Sequence, residues 1–320
     1  MKNFSDILKL LLVLVMPIGL GYFFRLARIF KDHETDVLRK FVIKICVPFL
    51  VFKNLYKTEI SVLDQFFPSV FAFIVLCIIY IGSAYLLSLI ISSGKRLQNT
   101  YAFAVSMGNY MFLGWGVVFS FYGEGAFTRS VFFTVFFWPV FLLGGFWLVH
   151  RQSISQKHGH SFVSILLRNG APAFLAALLG IGFNLLHFQF PAPVYDLVDK
   201  FALFTIPMIL LVIGLNFKLK MRSADFKIIV WASFTRLVGG IIVGVVAWLI
   251  TRMFFAPDPL TVRVILMESI MPTAAMTVFF LDYTEMDREL LAGVITFSTL
   301  LSLVTIPMWY LIIEKYILTF

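Results

Sequence analysis

Glu268 and Pro272 stand about one helical turn apart inside an otherwise apolar run. A carboxyl group at depth in such a run is costly unless it is paired or used. Pro272 has no N–H and clashes with the preceding turn, so the helix that carries Glu268 is predicted to break there. Gly108 and Asn109 form a second weak point. Glycine lowers helix stability, and asparagine favours helix ends over interiors. Asn109 lies about 13 Å along a span that starts near residue 100, and Pro272 about 15 Å along one that starts near residue 262. Both breaks are therefore predicted near one depth, in spans of opposite direction. A helix broken at its middle exposes N–H groups on its second half, which bear partial positive charge and suit an anion. The carbonyls freed on the first half suit a cation. Gly108, Asn109, Pro272 and Thr273 are the candidate substrate-binding residues.

Arg236 lies about 15 Å into its own apolar run, at a depth similar to that of Glu268. Three roles are open. The two form a structural ion pair, Glu268 couples to a proton or cation, or Arg236 attracts an anionic substrate. Asn216, after Gly214-Leu215, is expected to cap a helix at the interface. Asp282, Glu285, Asp287 and Glu289 are expected to form a solvated face. His150, His158 and His160 fall in a polar stretch with no metal-ligand spacing, and Cys46 and Cys77 stand alone in apolar runs. No metal site, cofactor or disulfide is expected, beyond a coupling proton or sodium ion. No set of nucleophile and base suggests an enzyme, and no phosphate-binding glycine loop suggests an ATPase.

The elements that must hold these residues are spans of a bilayer. The chain is 60% hydrophobic and 13% charged, against roughly 25% charged for a globular domain. Apolar runs long enough to cross about 30 Å of hydrocarbon recur throughout. Ten spans are predicted, near residues 5–24, 37–55, 67–92, 101–121, 128–149, 168–187, 194–215, 226–251, 262–281 and 289–313. The fold class is an all-α polytopic membrane protein. Pro17, Pro48 and Pro139 have counterparts Pro172, Pro207 and Pro307, and the Gly108-Asn109 break has its counterpart at Met271-Pro272. Residues 1–155 and 156–320 are accordingly predicted to be two five-helix repeats. Five spans each make the second inverted relative to the first, with the fourth and ninth helices broken and crossing.

The net charge of +9 does not indicate nucleic acid, because the basic residues sit in short loops. They gather in one alternating set of loops, among them Arg25, Arg39, Lys95, Arg151, Lys218 and Arg288. That side is predicted to be cytoplasmic, which places both termini outside. The first apolar run continues into Gly19-Leu20-Gly21-Tyr22 without a small-residue cleavage site, so a retained span is expected rather than a signal peptide. Gly240 and Gly244 make a small-residue pattern that predicts close helix packing.

Several stretches together resemble the auxin efflux carrier family, which includes bacterial malate and malonate permease-like proteins and the plant PIN carriers. They are Met16-Pro-Ile-Gly-Leu-Gly-Tyr-Phe23, Val47-Pro-Phe-Leu-Val-Phe52, Gly108-Asn109 with Phe112 and Gly114, Tyr122-Gly-Glu-Gly125, Pro207-Met-Ile-Leu-Leu-Val-Ile-Gly-Leu215 and Glu268-Ser-Ile-Met-Pro-Thr-Ala-Ala275. Arg236 also falls where the family carries a basic residue. The resemblance implies a fold like the bile-acid sodium symporters, with a scaffold and a transport domain drawn from both repeats. It implies secondary transport of a small organic anion by an elevator-like movement, in a homodimer in the bacterial inner membrane. Carried across, Asn109 is the first-crossover asparagine and Pro272 the second-crossover proline. The family usually has a proline shortly after that asparagine, where this chain reads Leu113-Gly114-Trp115-Gly116. Trp115 is therefore expected to shape the pocket. A channel or a non-transporting receptor on the same scaffold is the alternative.

Overall fold

The computed structural model describes residues 4–58, 64–91, 94–151, 171–217 and 226–317. The boundary at 155 and 156, His158, His160 and Lys218 lie outside the described residues. Within them the ordered elements are helical, with one isolated backbone bridge. Helix α1 runs Phe4–Leu26. Helix α2 (Asp32–Phe41) passes through a π-helical turn, Val42–Cys46, into α3 (Val47–Lys57). Helix α4 (Phe66–Ile91) is apolar almost throughout. Next come α5 (Lys95–Ser106), a π-helical turn at Tyr110–Gly114, α6 (Trp115–Tyr122), α7 (Glu124–Thr134) and α8 (Phe137–Arg151). The second half holds α9 (Ala171–Leu185), α10 (Ala192–Leu215), α11 (Phe226–Leu237) and α12 (Gly239–Phe254). It ends with α13 (Pro259–Ser269), a 3-10 stretch at Ala275–Asp282, and α14 (Arg288–Ile312).

Helix occupies each of the ten ranges expected from the sequence. By length and composition, four helical stretches among the described residues could cross a membrane unaided: Phe66–Ile91, Ala192–Leu215, Phe226–Phe254 and Arg288–Ile317. Helices α7 and α8 make a fifth if taken together, bent by 42°. Helix suits this composition because a backbone in lipid must satisfy its hydrogen bonds internally. Large apolar side chains such as Ile78, Ile90, Leu203, Ile242 and Met253 are exposed, as on helices that meet lipid.

Most of the prolines do not break their helices. Pro17, Pro207 and Pro307 lie inside α1, α10 and α14, which run through them. Membrane helices tolerate proline where neighbours and local adjustment satisfy the freed carbonyl. A one-residue interruption not anticipated from the sequence falls at Val238, between α11 and α12 and just before Gly239-Gly240, within the single stretch Phe226–Phe254. Tertiary donors serve the carbonyls there: Trp309 Nε1 donates to Leu237 O at 2.9 Å, and the Tyr80 hydroxyl to Arg236 O at 3.2 Å. Gly240 and Gly244 bring α12 onto the end of α13, and a Cβ at Gly240 would lie 2.5 Å from Ser269 O.

Two clusters of buried apolar side chains organise the helices. The larger is built mainly by α4–α8 and α11–α14 around Phe73, Phe103, Met107, Ile265, Met271 and Val294, with Ile18 of α1 and Leu210 of α10 joining it. The smaller is built by α3, α9 and α10 around Val47, Leu50, Ala177, Ala202 and Ile209. Trp115, Phe127 and Val131 reach into it from α6 and α7.

Candidate functional site

Helices α5 and α13 both stop inside the larger cluster, and their ends are stitched together. Gly108 and Thr273 form an antiparallel bridge. Asn109 N–H donates to Pro272 O at 2.7 Å, and Ala274 N–H donates to Met107 O at 2.9 Å. The Thr273 hydroxyl donates to Ala104 O at 2.7 Å, and its N–H to Ser298 Oγ at 3.3 Å. Two strand-like hydrogen bonds thus replace the helical ladder where proline and glycine interrupt it, and the buried backbone stays paired. The two predicted breaks meet.

Arg236 fills the place at this crossing that the sequence reserves for a cation. The residue is fully buried. Its Nε donates to Met271 O at 2.8 Å, one terminal nitrogen to Val105 O at 3.3 Å, and the other to the Tyr110 hydroxyl at 2.8 Å. The guanidinium carbon lies 3.8 Å from the centroid of the Tyr80 ring and 5.2 Å from that of Tyr110. The positive group therefore sits on carbonyls at the negative ends of both first half-helices. Gly108 makes room for it, since a Cβ there would lie 1.8 Å from the guanidinium nitrogen. The expected pairing of Arg236 with Glu268 is not formed: the arginine is committed to carbonyls and a phenol.

Glu268 is also fully buried, on the last turn of α13. Its Oε1 accepts a hydrogen bond from the Ser130 hydroxyl at 2.5 Å, and Oε2 has no partner among the described residues. The carboxyl occupies the space that Gly114 leaves, for a Cβ at Gly114 would lie 2.2 Å from Oε2. Trp115, next in sequence, turns away from the crossing. Its Nε1 donates to Thr134 Oγ1 at 3.0 Å, and its ring packs edge-on against Phe127.

A cavity of about 440 Å³ opens between the two clusters, within the usual size range of ligand sites. Asn109, Phe112 and Met276 line it from the broken segments, and Ile209, Val212 and Asn216 from α10. Thr296 and Thr299 of α14 add hydroxyls, while Asp36, Arg39 and Arg288 supply charge. Among the described residues the Asn109 side-chain amide has no hydrogen-bond partner. The helical stretches that start after Asn109 and Ala274 both open on this cavity, and their first N–H groups lack intrahelical acceptors.

Of the predicted binding residues, Asn109 alone reaches the cavity with its side chain. Gly108, Pro272 and Thr273 build the crossing behind it. Trp115 does not line this cavity, its indole being drawn into the smaller cluster. Asn216 caps α10, donating to Val212 O at 2.8 Å, and also faces the cavity. Asp287 is not on a solvated face. It caps α14, accepting from Glu289 N and Leu290 N, and pairs with Arg96 at 3.0 Å. Asp258, ahead of α13, caps that helix through Thr261 N at 2.7 Å and accepts a forked contact from Arg129. Burial opposes ionisation of Asp258, but the hydrogen bonds from Arg129 and Thr261 outweigh it and hold the carboxyl below its usual range.

Residues 6–310 match the family described as Membrane transport protein. The chain belongs to this family, the auxin efflux carrier family. It is 27% identical over 315 residues to an uncharacterised transporter of Methanocaldococcus jannaschii, covering 95% of this chain and 97% of that protein. It is 26% identical over 314 residues to an uncharacterised transporter of Methanothermobacter thermautotrophicus, covering 94% and 96%. The family and these relatives are transporters, not enzymes.

In the transporter, the residues that sequence reasoning missed are the partners of the predicted ones. Tyr80 and Tyr110 flank Arg236, and Ser130 holds Glu268. Lone tyrosines and serines in apolar runs give no spacing signal. Arg39 and Arg288 were visible in the sequence only as loop charges, yet both line the cavity.

Proposed function

We propose that this transporter is a secondary carrier of a small organic anion, a carboxylate, which binds in the cavity beside Asn109. The observation that carries this reading is the cavity itself, which ends at the crossing on an unpartnered amide and two helix starts. Such groups favour a carboxylate. The chain is arranged as ten spans in two inverted repeats, residues 1–155 and 156–320. Helices α4–α8 and α11–α14 form a transport domain that slides as an elevator past a scaffold of α1–α3, α9 and α10. The two apolar clusters support that division in the main, with Ile18 of α1 and Leu210 of α10 packing in the larger and Trp115, Phe127, Val131 and Phe132 of α6 and α7 in the smaller. The mouth carries Arg39 and Arg288, which the charge pattern puts on the cytoplasmic side of a bacterial inner membrane, so the cavity is inward-facing with both termini outside. The carrier works as a homodimer. Arg236 already satisfies the carbonyls that would otherwise hold sodium, which favours a proton as the driving ion.

Counterflow in proteoliposomes tests the function. Vesicles preloaded with malate, malonate, succinate, lactate or indole-3-acetate should take up the labelled compound when it is the substrate. Asn109→Ala should weaken apparent affinity by about tenfold or more, as loss of a hydrogen bond to a charged group costs about 1.5–3 kcal/mol. A channel would conduct without counterflow. No exchange of any carboxylate by folded protein would overturn the assignment.

A further inference from the structure

The carboxyl of Glu268 does not belong to the cavity wall, the crossing or any ion pair among the described residues. It is enclosed by α7, α13 and the turn that leads into α6. Ser130 supplies its one hydrogen bond, and Gly114 supplies the space for its other oxygen. An ionised carboxylate here would be desolvated with a single donor and one oxygen unmet, which a dry interior penalises heavily. A neutral acid has no charge to desolvate and leaves only the hydroxyl on Oε2 without a partner among the described residues. The charged and titratable groups around it are otherwise engaged. Arg236 is spent on Met271 O, Val105 O and Tyr110. Arg129, beside Ser130, is bound to Asp258. The Tyr80 hydroxyl donates to Ser269 O at 2.5 Å, and Cys77 is buried on the same helix as Tyr80.

The carboxyl also has a distinctive place in the fold. The residues around it, Trp115 after Gly114 and Val131 after Ser130, reach into the smaller cluster. Glu268 thus lies directly behind the surface along which the two clusters meet. A shift of one cluster against the other would change what packs against Trp115 and Val131, the neighbours of the residues that hold the carboxyl.

We propose that Glu268, held by Ser130 against Gly114, is the binding site of the coupling proton. The inference rests on the carrier reading above for its role, though not for its chemistry. A proton from water on one side binds the Glu268 carboxylate, travels as a carboxylic acid, and returns to water on the other side. No other bond is made or broken. One proton moving with one monocarboxylate leaves the cycle electroneutral.

Two measurements decide it. Infrared difference spectra of Glu268→Gln against wild type, in detergent at neutral pH without substrate, should show a protonated carboxylic acid that the variant lacks. Identical carboxylic-acid bands in both proteins would overturn the proposal. In proteoliposomes, Glu268→Gln should retain counterflow, because neutral glutamine mimics the protonated acid, but lose accumulation driven by a pH gradient. Accumulation equal to wild type would also overturn it. For a variant inert in both transport assays, the infrared comparison decides alone. Absence of counterflow in wild type would instead count against the carrier reading.

Discussion

Removing the Arg236 guanidinium would leave the carbonyls of Met271 and Val105 without their donor in a dry interior, while the Tyr80 ring would lose the cation stacked on it. A bound sodium ion can leave such carbonyls, but a guanidinium on the chain cannot, so the crossing is permanently neutralised. Arg236→Met should destabilise the protein by on the order of 3–5 kcal/mol, read as a lower melting temperature in detergent. Arg236→Lys should recover part of the loss, because the charge remains but the planar fork that serves several acceptors does not. Gly108→Ala should mimic the damage from the opposite side, since its methyl group would occupy the guanidinium's position.

The broken helices show how an element that fails locally is rescued by another. Proline and glycine interrupt α13 and α5, and each supplies the other's missing hydrogen bonds through the Gly108–Thr273 bridge. Helix α13 depends on its start as well as its end. Asp258 caps it and also binds Arg129 of α7. Because the carboxyl of Asp258 is held below its usual range, its contribution is complete above a free carboxylate's pKa of about 4 and fades as pH falls through the lowered value. Asp258→Ala should cost about 2 kcal/mol at neutral pH, from the cap and the partly exposed ion pair together. Melting temperatures measured against pH should show the gap between variant and wild type closing in acid.

At the scale of the molecule, the cavity exists because two clusters pack internally and leave space where they face one another. Its walls are largely apolar, with the amide of Asn109 at the crossing and the charges of Arg39 and Arg288 beside it. Met276 lines this space from the 3-10 stretch. Met276→Trp should fill part of the cavity and reduce counterflow by about tenfold or more, a steric loss of binding on the scale of 1.4 kcal/mol or above. The melting temperature of the same variant should stay close to wild type, because the added ring enters existing space. A matching fall in both would mean that the cavity is part of the packed interior.

The membrane class, the helical ranges and the positions of the two breaks were legible in the amino-acid order alone. Those properties follow from local chemistry: apolar length, the missing N–H of Pro272, and the weak helix at Gly108-Asn109. Arg236 and Glu268 also stood out as unusual, because a charge at depth is costly wherever it points. Their partners were not legible. Equal depth suggested an ion pair, but depth measures position along a helix and says nothing of rotation about its axis. Tertiary packing turned Arg236 towards two carbonyl ends and Tyr110, and Glu268 towards Ser130. The same limit applies to Trp115. Its place after Gly114 was legible, while its direction was set by the shape of the smaller cluster. The cavity was likewise beyond the sequence, since it is a gap between two bodies whose lining comes from residues far apart in the chain.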